Sequence, residues 1–203
     1  MDCDNCNLNS TDTSHESKGR LYIFSAPSGA GKTTLCRYVL SHFPDILYSI
    51  SYTTRAPRPG ETDGTDYFFI TPDAFVHQIE HGGWAEWALV HGNYYGTSAL
   101  FIDQGLNSGK DILLEIDVQG MLSILKLYPD SITIFIMPPS LEALRDRLEL
   151  RGTDSREVIN TRMTNARKEI AQAHRYRHVI VNECLETARQ DLISLIKTYR
   201  SNR

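Results

Sequence analysis

Short apolar runs along the chain predict a series of buried strands. These runs are rich in β-branched and aromatic side chains and cover residues 21–25, 48–52, 112–116, 132–137 and 179–181. Segments whose apolar residues recur at helical spacing separate them. Strands that alternate with helices favour a parallel sheet, because helices then cover both of its faces. The sequence therefore predicts an α/β fold with a three-layer core.

Two segments depart from this alternation. Between residues 53 and 95 the chain contains the turn-rich stretch RAPRPGETDGTDY and the aromatic run YFF, which predict short strands in a small inserted sheet. Around residues 145–168, many cations surround a Gly-Thr-Asp-Ser break. Asp154, with Glu157 three positions later, predicts that a new helix starts at this break.

The composition is that of an ordinary globular domain. Of 203 residues, 41% are hydrophobic and 23% are charged, which excludes disordered, collagen-like and membrane classes. No apolar stretch approaches the ~20 residues of a membrane helix, and the acidic, polar start is unlike a secretory signal. We therefore expect a cytoplasmic protein. The net charge of −4 gives no general attraction for nucleic acid, so any bound anion must be held by local clusters.

The N-terminal residues 1–18 are predicted to be a disordered polar tail, because they are rich in Asn, Ser, Thr and Asp without periodicity. Cys3 and Cys6 form a lone C-x-x-C motif there, without the second Cys or His pair of a zinc site. A reducing cytosol favours free thiols. Cys36 and Cys184 lie in apolar-patterned segments and are predicted to be small core residues.

The stretch SAPSGAGKTT, residues 25–34, follows the first apolar run and predicts a phosphate-binding loop. Its backbone N–H groups and the positive end of the next helix would face an anion. Lys32 would bridge the outer phosphates, and the Thr33 hydroxyl would bind Mg²⁺. Ala26 replaces the first glycine of the motif, which matters only if that position needs a positive φ. The alternative is a glycine-rich loop that merely ends a strand.

A second cationic cluster lies in the stretch SYTTRAPRPG. Arg55 and Arg58 are three positions apart in a turn that two prolines stiffen, and an arginine fork matches phosphate oxygens. The cluster therefore suits a second phosphate, although a solvated basic loop is the alternative. Tyr67 and Tyr95 are either part of this site or ordinary core and edge aromatics.

Several motifs follow one another along the chain: SAPSGAGKTT, SYTTRAPRPGE, DYFF, AEWALVHGNYYGTS, LLEIDVQG, PPSLEALRDRLELRG and VIVNE. In this order and at this spacing they closely resemble bacterial-type guanylate kinase, which phosphorylates GMP from ATP. Bacterial members of that family resemble this chain in having alanine at the position of Ala26. The resemblance implies one domain over residues 19–203, with a core of 19–52 and 98–203. A GMP-binding region of about 53–97 and a lid of about 145–165 complete it.

The resemblance also implies roles for individual residues. Matches to the GMP-phosphate positions are Arg55, Arg58, Tyr67 and Tyr95. Matches to the guanine-facing positions are Ser51, Glu86, Thr97 and Asp117. The ATP loop corresponds to Ala26, Pro27, Ser28, Gly29, Ala30, Gly31, Lys32, Thr33 and Thr34, and Asn182 matches a position near the adenine. The matching catalytic side chains are Lys32, Arg55, Arg147, Arg151 and Arg162.

One departure concerns the metal. The family usually has Asp-Ile-Asp where this chain has Glu115, Ile116 and Asp117. Glu115 closes an apolar strand as an acid near Mg²⁺ would, and it would act on the metal through a water molecule. Its extra methylene group would place the carboxylate differently, so the detail of the metal surroundings is the part of the family pattern in doubt.

The implied activity is transfer of the γ-phosphoryl group of ATP to GMP and dGMP with Mg²⁺, in guanine nucleotide synthesis and recycling. One alternative is a non-catalytic, peptide-binding module of guanylate-kinase-like fold, which typically lacks the phosphate-loop residues that Lys32 and Thr33 retain here. The other is a kinase for a different nucleoside monophosphate. Glu86 can accept from two guanine donors and Ser51 can donate to guanine O6, which argues against it. The oligomeric state stays open.

Overall fold

The computed structural model describes residues 18–150, 152 and 154–202. Within these residues the strands are β1 (Leu21–Ser25), β2 (Leu47–Tyr48), β3 (Tyr52–Thr53), β4 (Phe68–Phe69), β5 (Trp84–Val90), β6 (Asn93–Ser98), β7 (Ile112–Glu115), β8 (Ile132–Met137) and β9 (His178–Val181). The helices are α1 (Lys32–His42), α2 (Pro72–Glu80), α3 (Ala99–Asn107), α4 (Val118–Leu127), α5 (Leu141–Leu150), α6 (Arg156–Ile170) and α7 (Leu185–Ser201). A short 3₁₀ helix covers Ala173–Arg175.

The larger sheet has five parallel strands in the order β2-β7-β1-β8-β9. β1 lies at its centre and is buried throughout, because helices cover both faces. Side chains alternate between the faces, so Tyr22 and Phe24 pack with α1 and α7, whereas Leu21 and Ile23 pack with α3 and α4. The predicted α/β fold with a three-layer core is confirmed.

A smaller sheet of four strands has the order β4-β3-β6-β5 and matches the predicted inserted sheet. α2 packs on it through Phe75, which stacks on Trp84 at 4.3 Å and on Tyr94 at 5.1 Å between ring centroids. A Cβ built at Gly96 would lie 2.8 Å from Phe75 Cζ, so glycine lets the helix approach this strand. Stacking of these aromatic rings holds α2 against the smaller sheet.

The apolar run of residues 48–52 is not the single strand that the sequence predicts. β2 pairs with β7 in the larger sheet, whereas β3 pairs with β4 and β6 in the smaller one. The chain changes sheets between them because Tyr52 stacks on Phe68 at 4.7 Å and packs against Trp84, both in the insertion. Both strands are only two residues long, and this brevity hides the change in the apolar pattern.

α5 and α6 form a separate apolar cluster with the phosphate loop. Leu144 and Leu148 of α5 are fully buried against Ala30 and the α6 residues Ile159 and Met163. This packing ties the helical pair to the loop between β1 and α1. The pair therefore positions arginines of the predicted lid beside that loop.

The start of α6 differs by one position from the sequence prediction. Ser155 is the capping residue, and its hydroxyl accepts a hydrogen bond from the backbone N–H of Val158 at 3.4 Å. Asp154 does not cap the helix because its carboxylate pairs with Arg162, with Oδ2 3.3 Å from Nη1. A tertiary ion pair has replaced the local contact that the pattern suggested.

The cysteine predictions have different outcomes. Cys36 is buried, as predicted, but Cys184 is exposed, so its assignment to the core is wrong. It lies at the start of α7, directly after β9, which is an edge strand of the larger sheet. Cys3, Cys6 and the predicted tail through residue 17 lie outside the described residues. Among the helices that are described, none is both long and apolar enough to cross a bilayer.

Candidate active site

The loop from Ala26 to Gly31 joins β1 to α1 and has the backbone of a phosphate cradle. Gly29 and Gly31 have φ values of 96° and 95°, a conformation that a side chain would strain. Ala26 is not among the described non-glycine residues with positive φ, so its methyl group costs no backbone strain. α1 begins immediately at Lys32, and its unpaired N–H groups and positive dipole end face the loop.

A cavity of about 350 Å³ lies over this loop. Its walls include the predicted ATP residues Ala26, Pro27, Ser28, Gly29, Gly31, Lys32, Thr33 and Thr34, together with Asp117 and Glu169. Ala30 is fully buried beneath the loop and packs on α5 and α6, so it supports the cradle without lining it. The cavity therefore presents backbone donors, the ammonium group of Lys32 and the hydroxyl residues Ser28, Thr33 and Thr34 to an anion.

Glu115 stands beside the first turn of α1 because β7 is the parallel neighbour of β1, with Phe24 opposite Glu115. The Thr33 hydroxyl donates to Glu115 Oε1 at 2.8 Å, and Lys32 Nζ lies 3.9 Å from the same oxygen. Tyr48 donates its hydroxyl to Oε2 at 3.4 Å. Burial, followed by the charge of Glu115, raises the pKa of Tyr48, so this tyrosine stays a neutral donor.

This donor set fits Mg²⁺ as a companion of nucleotide phosphates. A hydroxyl and a carboxylate oxygen are hard ligands of the kind that Mg²⁺ prefers, and the ion normally takes few protein ligands and keeps water molecules. The described residues contain no group of three or more His, Cys, Asp and Glu side chains that could enclose a metal by themselves. Thr33 and Glu115 are therefore suited to a metal that arrives with its phosphates.

A second cavity of about 380 Å³ lies between the smaller sheet and the carboxyl end of β7. It collects most of the residues predicted to bind GMP, namely Ser51, Arg55, Arg58, Tyr67, Glu86, Tyr95 and Asp117, together with Glu61 and Glu115. Asp117 lines both this cavity and the one over the phosphate loop. The two cavities therefore meet at the end of β7.

The basic end of the second cavity is organised around Arg55. Its guanidinium carbon lies 5.4 Å from the centroid of the Tyr67 ring, and Tyr67 in turn contacts Tyr95 at 5.9 Å. Arg55 Nη2 donates to Glu61 at 2.8 Å, and this bond raises the pKa of Arg55 and lowers the pKa of Glu61. The guanidinium is thus held at the wall of the cavity between a carboxylate and an aromatic ring.

Glu86 forms the other end of the second cavity. Thr97 lies opposite it on β6, is buried, and donates its hydroxyl to Glu86 Oε1 at 2.6 Å. Burial raises the pKa of Glu86, the Thr97 bond opposes this effect, and the charge of Asp117 adds to it. A Cβ built at Gly120 would lie 3.2 Å from Glu86 Oε2, so α4 packs closely on the carboxylate.

Asp117 is placed by its role at the start of α4. It is the capping residue of that helix, and its Oδ1 accepts from the backbone N–H of Gly120 at 2.8 Å. A cap of this kind holds the carboxylate at a defined position between the two cavities. Ser51 reaches the same region from the loop before β3 and lines the second cavity.

The predicted lid arginines reach the phosphate loop from two sides. Arg162 of α6 donates to the Ser28 hydroxyl at 3.2 Å and to Asp154 Oδ1 at 3.4 Å. Arg147 of α5 donates to the carbonyl oxygen of Asn182 at 2.8 Å. Arg151, the third predicted arginine, lies outside the described residues. Of these arginines, Arg162 contacts the loop directly.

Asn182 ties the end of β9 to the phosphate loop. It is 4% exposed, and its Nδ2 donates to the Ala30 carbonyl oxygen at 2.8 Å. Asn182 and Arg147 both line a further cavity of about 390 Å³ that shares Gly29 and Gly31 with the loop. The predicted adenine-side residue is therefore both a support of the loop and a wall of an adjoining cavity.

Two acids of the site were missed by the sequence reasoning. Glu61 could have been noticed as an acid three positions after Arg58 in the same turn. Glu169 lies two helical turns after Arg162, so the two share a face of α6. Burial raises the pKa of Glu169, and the charge of Lys32 opposes this shift. Neither residue stands out in the sequence because isolated surface acids are common.

Another cavity, of about 570 Å³, lies between β9 and α7. None of the predicted site residues lines it, and its walls include exposed Val179 and Val181. It shares no lining residue with the cavity over the phosphate loop or with the arginine-lined cavity, so its size does not make it the active site.

Comparison with known proteins shows the family of this chain. Residues 18–199 match the model of the family described as Guanylate kinase. The chain belongs to the guanylate kinase family.

Several bacterial relatives carry the family name. The guanylate kinase of Syntrophotalea carbinolica is 49% identical over 178 residues, which cover 88% of this chain and 85% of that protein. The guanylate kinase of Chromobacterium violaceum is 50% identical over 182 residues, covering 90% and 87%. The crystal structure of guanylate kinase from Anaplasma phagocytophilum superposes with a TM-score of 0.70 at 32% identity, covering 90% of this chain and 87% of that one.

Proposed function

We propose that this guanylate kinase transfers the γ-phosphoryl group of ATP to GMP, giving ADP and GDP, and that dGMP is accepted as well. One observation carries the proposal: the phosphate-loop cavity and the arginine-lined cavity meet at Asp117. Two phosphorylated ligands bound in these cavities would lie next to each other at the end of β7, where Glu115 lines the second cavity and also accepts from Thr33 of the first. Such proximity is the main requirement of phosphoryl transfer.

The donor side is assigned to the loop and its lid. Backbone N–H groups of the loop and the start of α1 bind the phosphates of ATP, and Lys32 neutralises charge on the outer ones. Arg162, which already contacts Ser28, donates to the transferring group, assisted by Arg147 and Arg151. Asn182 faces the adenine from the adjoining cavity. These arginines stabilise charge that builds up during transfer.

The acceptor side recognises the guanine base of GMP through hydrogen bonds. Ionised Glu86 accepts from guanine N1–H and N2–H₂, and Ser51 donates to guanine O6. Thr97 holds the Glu86 carboxylate in place, and Asp117, fixed by its bond from the Gly120 N–H, lines the same cavity. Adenine lacks the paired donors of guanine. A site built on buried hydrogen bonds can favour GMP over AMP by ~10⁴-fold or more.

The phosphate of GMP binds to the cationic end of the same cavity. Arg55 and Arg58 supply charge and forked donors, and the hydroxyl groups of Tyr67 and Tyr95 complete the set. An oxygen of this phosphate attacks the γ-phosphorus of ATP, and the bond from that phosphorus to the bridging oxygen of ADP breaks. No covalent intermediate on the protein is needed.

Mg²⁺ is proposed as the metal that accompanies ATP. Thr33 would bind it directly, and Glu115 would bind it through a water molecule, as their hydrogen bond of 2.8 Å places both oxygens together. The ion would neutralise charge on the phosphates. Glu115 also accepts from Thr33 and Tyr48, so the protein orients its carboxylate before any ligand binds.

The proposed division of the chain follows from these roles. The core is residues 19–52 and 98–203, the GMP-binding region is about 53–97, and the lid is about 145–165. Closure of the lid would exclude water, which could otherwise hydrolyse ATP. We place the enzyme in the cytoplasm, in purine nucleotide metabolism.

A coupled assay of ADP release tests the proposal. With ATP and Mg²⁺, turnover should require GMP or dGMP and stay near background with AMP, CMP or UMP. Because Glu86 presents acceptors to guanine donors, AMP should stay near background at concentrations that saturate the enzyme with GMP. Turnover of AMP at the rate of GMP would refute the guanine assignment, and ADP release without any acceptor would refute a kinase role.

A further inference from the structure

The turn that carries the two phosphate-binding arginines is closed by Glu61. Glu61 Oε1 accepts from Arg55 Nη2 at 2.8 Å, and Oε2 accepts from the backbone N–H of Arg58 at 2.7 Å. The backbone N–H of Glu61 donates to the Arg58 carbonyl oxygen at 3.0 Å. Both oxygens of one carboxylate thus connect the side chain of one arginine to the backbone of the other.

The contacts of Arg55 show what this connection does. Its Nη1 donates to the Ala56 carbonyl oxygen at 2.7 Å, and its guanidinium carbon lies 5.4 Å from the Tyr67 ring and 5.9 Å from the Phe69 ring. Together with Glu61, these contacts leave one orientation for a long side chain that otherwise samples many rotamers. Ordering such a side chain in advance removes an entropy cost from ligand binding.

Glu61 could instead occupy the place of the phosphate. A carboxylate that acted only as a substitute anion would be held by the cationic side chains alone. Glu61 is also bonded to the backbone of Arg58 in both directions, as a member of the turn itself. Its side chain is 20% exposed, and that of Arg55 is 14% exposed, so the pair forms the wall of the cavity.

We propose that Glu61 is a positioning residue for the phosphate of the acceptor nucleotide, acting through Arg55 and the Arg58 turn. This inference rests on the proposed function of the arginine pair. Glu61 does not touch the reacting atoms. It holds the Arg55 fork toward the cavity and keeps the Arg58 backbone in the turn that aims its side chain.

The sign of the effect makes the inference testable. Removing a negative charge beside a phosphate site would by itself strengthen phosphate binding. Loss of positioning would weaken it. Glu61→Gln keeps the size of the side chain but removes the charge, so the two effects oppose each other, and the measured direction decides between them.

The experiment measures kcat and KM for GMP at saturating ATP, and the inhibition constant of guanosine, which lacks the phosphate. In Glu61→Gln the KM for GMP should rise about three- to tenfold, as expected for a partly exposed charge-assisted contact. The kcat, the KM for ATP and the inhibition constant of guanosine should change less than about twofold. Glu80→Gln is the matched control, because Glu80 is an exposed acid of α2 outside both cavities.

Each other result overturns the inference. A lower KM for GMP would make Glu61 a competing anion, and an unchanged KM would make its contacts irrelevant. Equal weakening of GMP and guanosine would indicate general damage to the GMP-binding region. Arg55→Gln distinguishes failure of the proposed function from failure of the role of Glu61. If Arg55→Gln leaves the KM for GMP unchanged, the phosphate assignment of the arginines is wrong. If the KM for GMP rises in Arg55→Gln but not in Glu61→Gln, only the role of Glu61 is rejected.

Discussion

Replacing Glu86 by Gln gives a sharp test of base reading in the second cavity. Gln has nearly the same shape, and its carbonyl oxygen can still accept from Thr97, which donates to Glu86 Oε1 at 2.6 Å. Its amide NH₂ then takes the place of the second carboxylate oxygen. A donor would face the guanine N–H groups where an acceptor is needed.

The expected magnitude follows from this exchange. Losing a hydrogen bond to a charged group costs about 1.5–3 kcal/mol, and leaving a buried donor without a partner costs about 1–3 kcal/mol more. The sum is about 2.5–6 kcal/mol. At about 1.4 kcal/mol for each factor of ten, GMP affinity should fall roughly 10²- to 10⁴-fold.

The free energy of unfolding of the ligand-free protein should rise in this variant, although its affinity for GMP falls. Burial raises the pKa of Glu86, so the folded protein binds its proton more tightly than the unfolded chain does. In the pH range between the unfolded and folded pKa values, the folded state holds more protons, and the free energy of unfolding therefore falls as pH rises. Above the folded pKa of Glu86 this loss is complete. Glu86→Gln removes it, so the variant should unfold at a higher temperature than the parent.

Calorimetric titration with GMP and ATP, together with thermal unfolding at neutral pH, measures both effects. Glu80→Gln serves again as the exposed control and should change neither quantity appreciably. Equal weakening of GMP and ATP would contradict a base-reading carboxylate. A lower unfolding temperature would show that Glu86 is mainly a structural residue and that its burial carries no cost.

Three further substitutions test the donor side. Lys32→Ala should reduce kcat by ~10²-fold or more while calorimetry still detects GMP, and surviving activity would disprove the loop assignment. Glu115→Asp shortens a carboxylate that contacts Thr33 at 2.8 Å, so the Mg²⁺ concentration for half-maximal rate should change; an unaltered titration would make Glu115 purely structural. Asn182→Ala leaves the buried Ala30 carbonyl without its 2.8 Å partner. The substitution should lower the free energy of unfolding, measured in urea, by about 1–3 kcal/mol and raise the KM for ATP more than the KM for GMP. Equal changes in the two KM values would count against a place for Asn182 on the ATP side.

The sequence by itself determined the core and the phosphate loop. Buried parallel strands need continuous apolar runs, and the loop needs the positive-φ glycines Gly29 and Gly31 next to Lys32 and Thr33. Both features depend on residues that are adjacent in the sequence, so the sequence pattern predicts them. Arg55 and Arg58 were predicted from their spacing to suit a second phosphate, and the other residues of the second site were predicted through the order of motifs. Their roles came from the family resemblance because Glu86 alone is an unremarkable strand acid.

Local patterns failed where a distant contact outweighed a neighbouring one. Asp154 is a reasonable helix cap, yet its pairing with Arg162 leaves that task to Ser155. The apolar run of residues 48–52 divides between two sheets because Tyr52 stacks on Phe68 in the insertion. Cys184 follows an apolar strand, but that strand lies at the edge of the sheet. Strand order depends on segments far apart in the chain, and Asp154 pairs with a residue eight positions away, beyond the first turn that capping patterns consider.

Only the tertiary structure decided how the two halves of the site face each other. Asp117 lines both cavities because β7 pairs in parallel with β1, which brings the end of β7 beside the phosphate loop. The structure assigned a role to Glu61 because the Arg55 guanidinium lies within hydrogen-bonding distance of its carboxylate. No spacing rule in the sequence specifies that contact. Chain spacing limits the reach of such side chains, but their packing against rings and backbone sets their direction.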